Sequence, residues 1–177
     1  MPRIVFAALA SALILTIAPF AFSAELPTAL RGKWKMDPDR SESAHQAVPI
    51  GPVTLIIEQS ENDLVIETRR KDSKSSKTQV ETLTYKLDGS ETTIAGKDGA
   101  PITTKARWEG ANLVTSTVRN IQGSTVTTLN IHSVDPQAGT MTVHRTLTVQ
   151  HGYQFEGAQS YGTGTDVFVR AGAPVAK

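Results

Sequence analysis

In the stretch MTVHRTLTV, residues 141–149, apolar and polar side chains alternate with period two, and Arg145 stands where the period calls for an apolar residue. Met141, Val143, Leu147 and Val149 share its face, while Thr142, His144, Thr146 and Thr148 take the other. A strand that buries the apolar face buries the guanidinium with it, and a buried guanidinium requires a partner. Its planar fork suits a carboxylate or a phosphate. One reading pairs Arg145 with a carboxylate of the chain, such as Glu58, Glu67 or Asp166. A second sets it in a cavity wall as the anchor of an anionic ligand. In a third, the strand register turns it to water.

The neighbouring segment 124–134 carries Leu129 and Ile131 at odd positions and Asn130 and His132 at even ones. Matching apolar to apolar sets Leu129 or Ile131 opposite Arg145 and keeps the guanidinium inside. The same register puts His132 and His144 together on the outer, threonine-rich face. Two histidines across a strand pair can ligate zinc only with a third protein ligand, and none is visible, so they read as solvated residues and no metal is expected. Tyr85 alternates inward with Leu83 and Leu87, and Trp108 precedes a turn; both are expected in the apolar walls around Arg145. No serine, threonine or acid stands in a nucleophile elbow or comparable context, so an enzyme is the third-ranked reading, and no cofactor is expected. The glycines near Gly162 and Gly164 follow no strand-to-helix transition and make no nucleotide fingerprint.

The elements that must position these residues are strands. Threonine, valine and isoleucine dominate, and alternation recurs over residues 30–36, 53–60, 63–70, 78–87, 91–95, 102–109, 112–119, 124–134, 140–150 and 161–170. Short Asn-, Asp- and Gly-containing turns join most of them, which predicts an antiparallel meander. With eight to ten strands, closure into an up-and-down barrel removes the exposed edges; an open, curved sheet or sandwich is the second choice. Residues 37–52 and 151–164 are too long and too polar for hairpin turns and are placed across an open barrel end. The run 69–77 gathers five basic residues around Asp72 at a hairpin tip, and its serines favour a solvated tip over contact with an anionic membrane surface.

Composition bounds the class of function. Arg3, the apolar run 4–22 and the small residues Ala21 and Ser23 read as a secretory signal peptide cleaved after residue 23, with a retained membrane anchor as the alternative. The domain is then residues 24–170, with a disordered tail at 171–177. The whole chain has a net charge of +1, and removal of Arg3 leaves zero, which argues against nucleic acid as a partner. The absence of cysteine excludes disulfides and thiolate chemistry.

At the start of the domain, LRGKWKMDPDRS places Gly32-x-Trp34 on a first strand before a long loop. This resembles the opening of the calycin superfamily, which includes lipocalins and fatty-acid-binding proteins. VTLIIEQSENDLVI, LTYKLDG, ARWEGANLV and the closing DVFVR extend the likeness over nearly the whole domain, and the pattern is most similar to exported bacterial lipocalin-like proteins. The resemblance implies a β-barrel that holds a small ligand, with Trp34 closing one end beneath Arg170. The expected function is thus an exported small-ligand carrier, its ligand anionic or amphipathic, held by Arg145, Tyr85 and Trp108. The alternative is an envelope module with a filled core that binds another protein. Localisation is expected in the periplasm or outside the cell.

Overall fold

The computed structural model describes residues 30–72, 77–152 and 158–172. The proposed signal peptide and residues 173–177 of the proposed tail lie outside them, as do Tyr153 and Phe155. Ten antiparallel strands follow one another: β1 (Gly32–Met36), β2 (Val53–Gln59), β3 (Asp63–Lys71), β4 (Thr78–Lys86), β5 (Thr92–Ala95), β6 (Pro101–Glu109), β7 (Asn112–Ile121), β8 (Ser124–Asp135), β9 (Thr140–Gln150) and β10 (Gln159–Arg170). They form one sheet in the order β4-β3-β2-β1-β10-β9-β8-β7-β6-β5. The first strand pairs with the last, so the meander curls into a nearly closed barrel. The segment expected as a loop over 151–164 is shorter, because β10 begins at Gln159 and carries both Gly162 and Gly164 within its ladder.

The ladder is interrupted between β4 and β5. There Thr104 of β6, fully buried, sets its hydroxyl 2.6 Å from the carbonyl oxygen of Thr84 and 3.2 Å from that of Thr92. One side chain thus bridges two strand edges that do not pair with each other.

One barrel end is filled. Trp34, Leu64, Leu113 and Met141 are fully buried there, in one core with Ile57 and Ala106. Trp34 donates its indole N–H to the carbonyl of Leu30 at 2.8 Å, and the guanidinium carbon of Arg170 lies 4.3 Å from its ring centroid. Arg170 in turn donates to the carbonyl of Arg31 at 2.7 Å. The Trp34–Arg170 closure expected from the resemblance is therefore present.

The chain between β1 and β2 folds over the interior as two 3-10 turns, Pro38–Arg40 and Glu42–His45. Asp37 starts the first turn by accepting from the Asp39 amide and pairing with Arg40 at 2.7 Å. The segment is laced to β10. The Asp37 amide donates to the Val167 carbonyl, and the Ser41 hydroxyl both accepts from the Val167 amide and donates to its carbonyl.

Candidate functional site

Arg145 faces the barrel interior, but not in the register that apolar matching predicts. It stands opposite Asn130 on β8 and opposite Gly164 on β10. Leu129 pairs with Thr146 and Ile131 with His144, so these two lie on the outer face, while Val126 and Val134 share the inner face with Thr128, Asn130 and His132. The reason is the character of the interior: along the middle of β8, from Thr128 to His132, its wall is polar, and the apolar residues Leu129 and Ile131 run out of phase with burial. His132 and His144 consequently lie on opposite faces, and the outer pair expected from the sequence does not exist. His132 is buried beside Val143, whereas His144 is exposed and bonds to Thr165 on the outside.

The partner of Arg145 is Asp166, one of the three carboxylates the sequence offered. Nη1 lies 3.5 Å from the Asp166 carboxylate, and Nη2 donates to the Ser43 hydroxyl at 2.8 Å. Ser43 passes the contact on: its hydroxyl donates to Asp166 at 2.7 Å, and its amide donates to the same carboxylate at 3.0 Å. Asp166 and Ser43 are both buried. A buried carboxylate is tolerated where charge and hydrogen bonds satisfy it together, and the turn Glu42–His45 supplies two of those bonds. Gly164 lies against the pair, with space for a Cβ in ordinary contact. A Cβ at that position would lie 3.5 Å from Nη2 of Arg145 and 3.6 Å from a carboxylate oxygen of Glu42.

Arg145 keeps 29% of its side chain accessible, while Asp166 keeps 9%. The guanidinium borders a cavity of about 350 Å³ inside the barrel. This lies at the low end of the roughly 300–1,000 Å³ typical of small-molecule sites. Strands β2–β4 line it with Val53, Leu55, Ile66 and Leu83, and Tyr85 closes its floor from β4. Strands β7–β9 line it with Thr115, Thr117, Thr128, Asn130, His132 and Arg145. Of the three residues proposed from sequence, Arg145 and Tyr85 thus meet at the cavity. Trp108 does not line it. The indole packs partly buried against the core, and its N–H has no hydrogen-bond partner among the described residues.

Polar contacts join the deep end of the wall. Thr115 holds its hydroxyl 3.2 Å from Nε2 of His132 and is also hydrogen-bonded to Tyr85. Burial pushes the Tyr85 phenol well above its ordinary value, against the opposing pull of the Thr115 hydrogen bond, so the ring is a neutral wall. Burial likewise pushes the His132 imidazole down to about 4, so it too is neutral near pH 7. Nearer the mouth, Arg119 donates to Glu81 at 2.8 Å across the cavity. Asn130, Thr117, Thr128 and His132 were not singled out as site residues. The signal was present in the polar phase of β8, but the apolar phase at Leu129 and Ile131 outweighed it. Among the described residues no group of three or more histidine and acidic side chains is placed to hold a metal ion.

No family model matches the chain. No curated protein matches it either. Similar solved structures are barrels. The apo lipid binding protein 8 of Caenorhabditis elegans superposes with a TM-score of 0.52 at 12% identity, covering 80% of this chain and 95% of that one. A "secretary abundant heat soluble" protein of Ramazzottius varieornatus gives 0.51 at 12% identity, over 81% and 96%. At such identity the likeness concerns the fold alone, an antiparallel β-barrel like those of these structures.

Proposed function

We propose that the chain is an exported carrier of a small amphipathic anion, held within the barrel with its acidic group at Arg145. The observation that carries this reading is the cavity itself, with a partly accessible guanidinium in its wall. A filled interior, as the protein-interaction alternative requires, does not match a cavity of about 350 Å³ between the barrel walls. Asp166 and Ser43, which line the same cavity, hold the guanidinium on one side, and the remaining N–H groups of the fork are left for an acceptor from the cavity. The 3.5 Å separation from Asp166 is longer than a charge-assisted hydrogen bond. A ligand carboxylate therefore competes with a loose pair rather than a tight one. Tyr85 and the aliphatic side chains of β2–β4 take up the apolar part. The names of the structural neighbours, a lipid binding protein among them, agree with such a ligand.

Displacement of a fluorescent anionic amphiphile tests the assignment. The parent should bind one equivalent, and Arg145→Met should weaken binding by about tenfold, the equivalent of one charge-assisted hydrogen bond. Equal affinity in parent and variant, with both folded by circular dichroism, contradicts the anchor. Export is tested by the intact mass of the protein in the periplasm or medium, which should lack residues 1–23; a full-length mass in the cytoplasmic fraction contradicts it.

A further inference from the structure

The two sides of the cavity differ in chemistry, and the difference follows the strands. On β2–β4 the lining carries an aliphatic stretch, Val53, Leu55, Ile66 and Leu83, with Thr68, Arg70 and Glu81 beside it. On β7–β8 the facing wall carries Thr115, Thr117, Thr128, Asn130 and His132 together, with Arg119, Ile121 and Val126 beside them. The register explains the alignment: Thr115 stands opposite Asn130 and Asn130 opposite Arg145, while Thr117 stands opposite Thr128 one step nearer the mouth. These residues form a continuous polar band that runs from the guanidinium around the barrel.

Much of this band has no hydrogen-bond partner in the protein. The carboxamide of Asn130 and the hydroxyl of Thr128, both partly accessible, make no side-chain hydrogen bond among the described residues. Nδ1 of His132, fully buried beneath them, has none either. A barrel built only to hold a hydrocarbon chain would gain from apolar residues at these positions, since unmatched polar groups cost about 1–3 kcal/mol each on losing water. Neutral amide and hydroxyl groups discriminate poorly by charge, but they reward a ligand that brings hydroxyl or carbonyl groups to the same place.

We infer that the ligand is polar along one side: besides the anion at Arg145 it carries hydroxyl or carbonyl groups that meet Asn130 and Thr128, with its apolar side on β2–β4. This rests on the small-ligand reading above and narrows the chemical class within it. A hydroxyl suits the site because Asn130 offers both a donor and an acceptor and Thr128 offers either, so the match needs no change of protonation state.

A matched pair of probes separates this inference from the reading it rests on. Palmitate and a mid-chain dihydroxypalmitate share charge and length and differ in the two hydroxyls. The parent should bind the diol at least about tenfold more tightly than palmitate by calorimetry. Asn130→Leu should erase most of that preference by weakening the diol and leaving palmitate equal or tighter, and Thr128→Val should act in the same direction to a smaller extent. Preferential binding of palmitate by the parent, or equal loss of both probes in the variants, overturns the polar-face inference while leaving the carrier reading intact. Binding of neither probe overturns both.

Discussion

Arg145 and His132 show how one polar wall sets two side chains of opposite character a strand apart. The guanidinium is met by a carboxylate and a hydroxyl, those of Asp166 and Ser43. The imidazole gives up its charge because burial offers it only the Thr115 hydroxyl, and its proton affinity falls to about 4 from an ordinary value of 6.5. In the unfolded chain His132 takes a proton as pH drops below 6.5, while in the fold it stays neutral until about 4. The contribution of a neutral His132 is therefore complete above the unfolded value and is lost as pH falls through this window, by roughly 1.4 kcal/mol per pH unit. His132→Gln should flatten that slope. Urea denaturation at intervals from pH 7 to 4 measures it as the difference between parent and variant curves; parallel curves would mean that His132 takes up its proton as readily in the fold as in the unfolded chain. Asp166 was legible in the sequence as a partner for Arg145, but Ser43 was not. It comes from a turn more than a hundred positions away, and nothing local marks a serine that will share a carboxylate with an arginine.

At the level of elements, all ten strands were legible, because period-two alternation and Asn/Asp/Gly turns speak directly to extended, hairpin-linked backbone. The pairing of β8 with β9 was not. Apolar matching assumes that the inner face is the oily one, and β8 inverts this: Asn130 and His132 point in, and Leu129 and Ile131 point out. Arg145 faces inward all the same, because β9 keeps Met141 and Val143 in the core. The inversion is itself a functional signal, since a strand whose polar phase faces the interior borders a polar cavity. The β4–β5 break has a different logic. Its edges are held by Thr104, whose hydroxyl reaches carbonyls on both strands. Replacing Thr104 with valine keeps the shape and removes the bridge, which should cost about 1–2 kcal/mol. Amide hydrogen exchange should quicken in Thr92–Ala95 and leave β8–β10 unchanged; unaltered exchange in β5 would show that the seam is held by packing alone.

The molecule as a whole divides along its axis. One end is plugged by Trp34 beneath Arg170, with Leu64, Leu113 and Met141 around it. The other carries the chain segment 37–52, and between the ends lies the cavity. Barrel closure and the Trp34–Arg170 plug were legible through the resemblance to calycin barrels. The cavity was not, because its volume depends on how far side chains from opposite walls reach, and alternation is silent on that. Trp108 illustrates the gap: its residue type suits a ligand wall, yet its position near the end of β6 puts it against the core and away from the cavity. The central claim is that this interior receives a small amphipathic anion. Native mass spectrometry of the protein purified from cells without detergent tests it most directly. The predicted spectrum shows a discrete added mass at one equivalent, released by denaturing extraction and much reduced in Arg145→Met. A spectrum of bare polypeptide that remains bare after incubation with an excess of palmitate and of its diol would contradict the account.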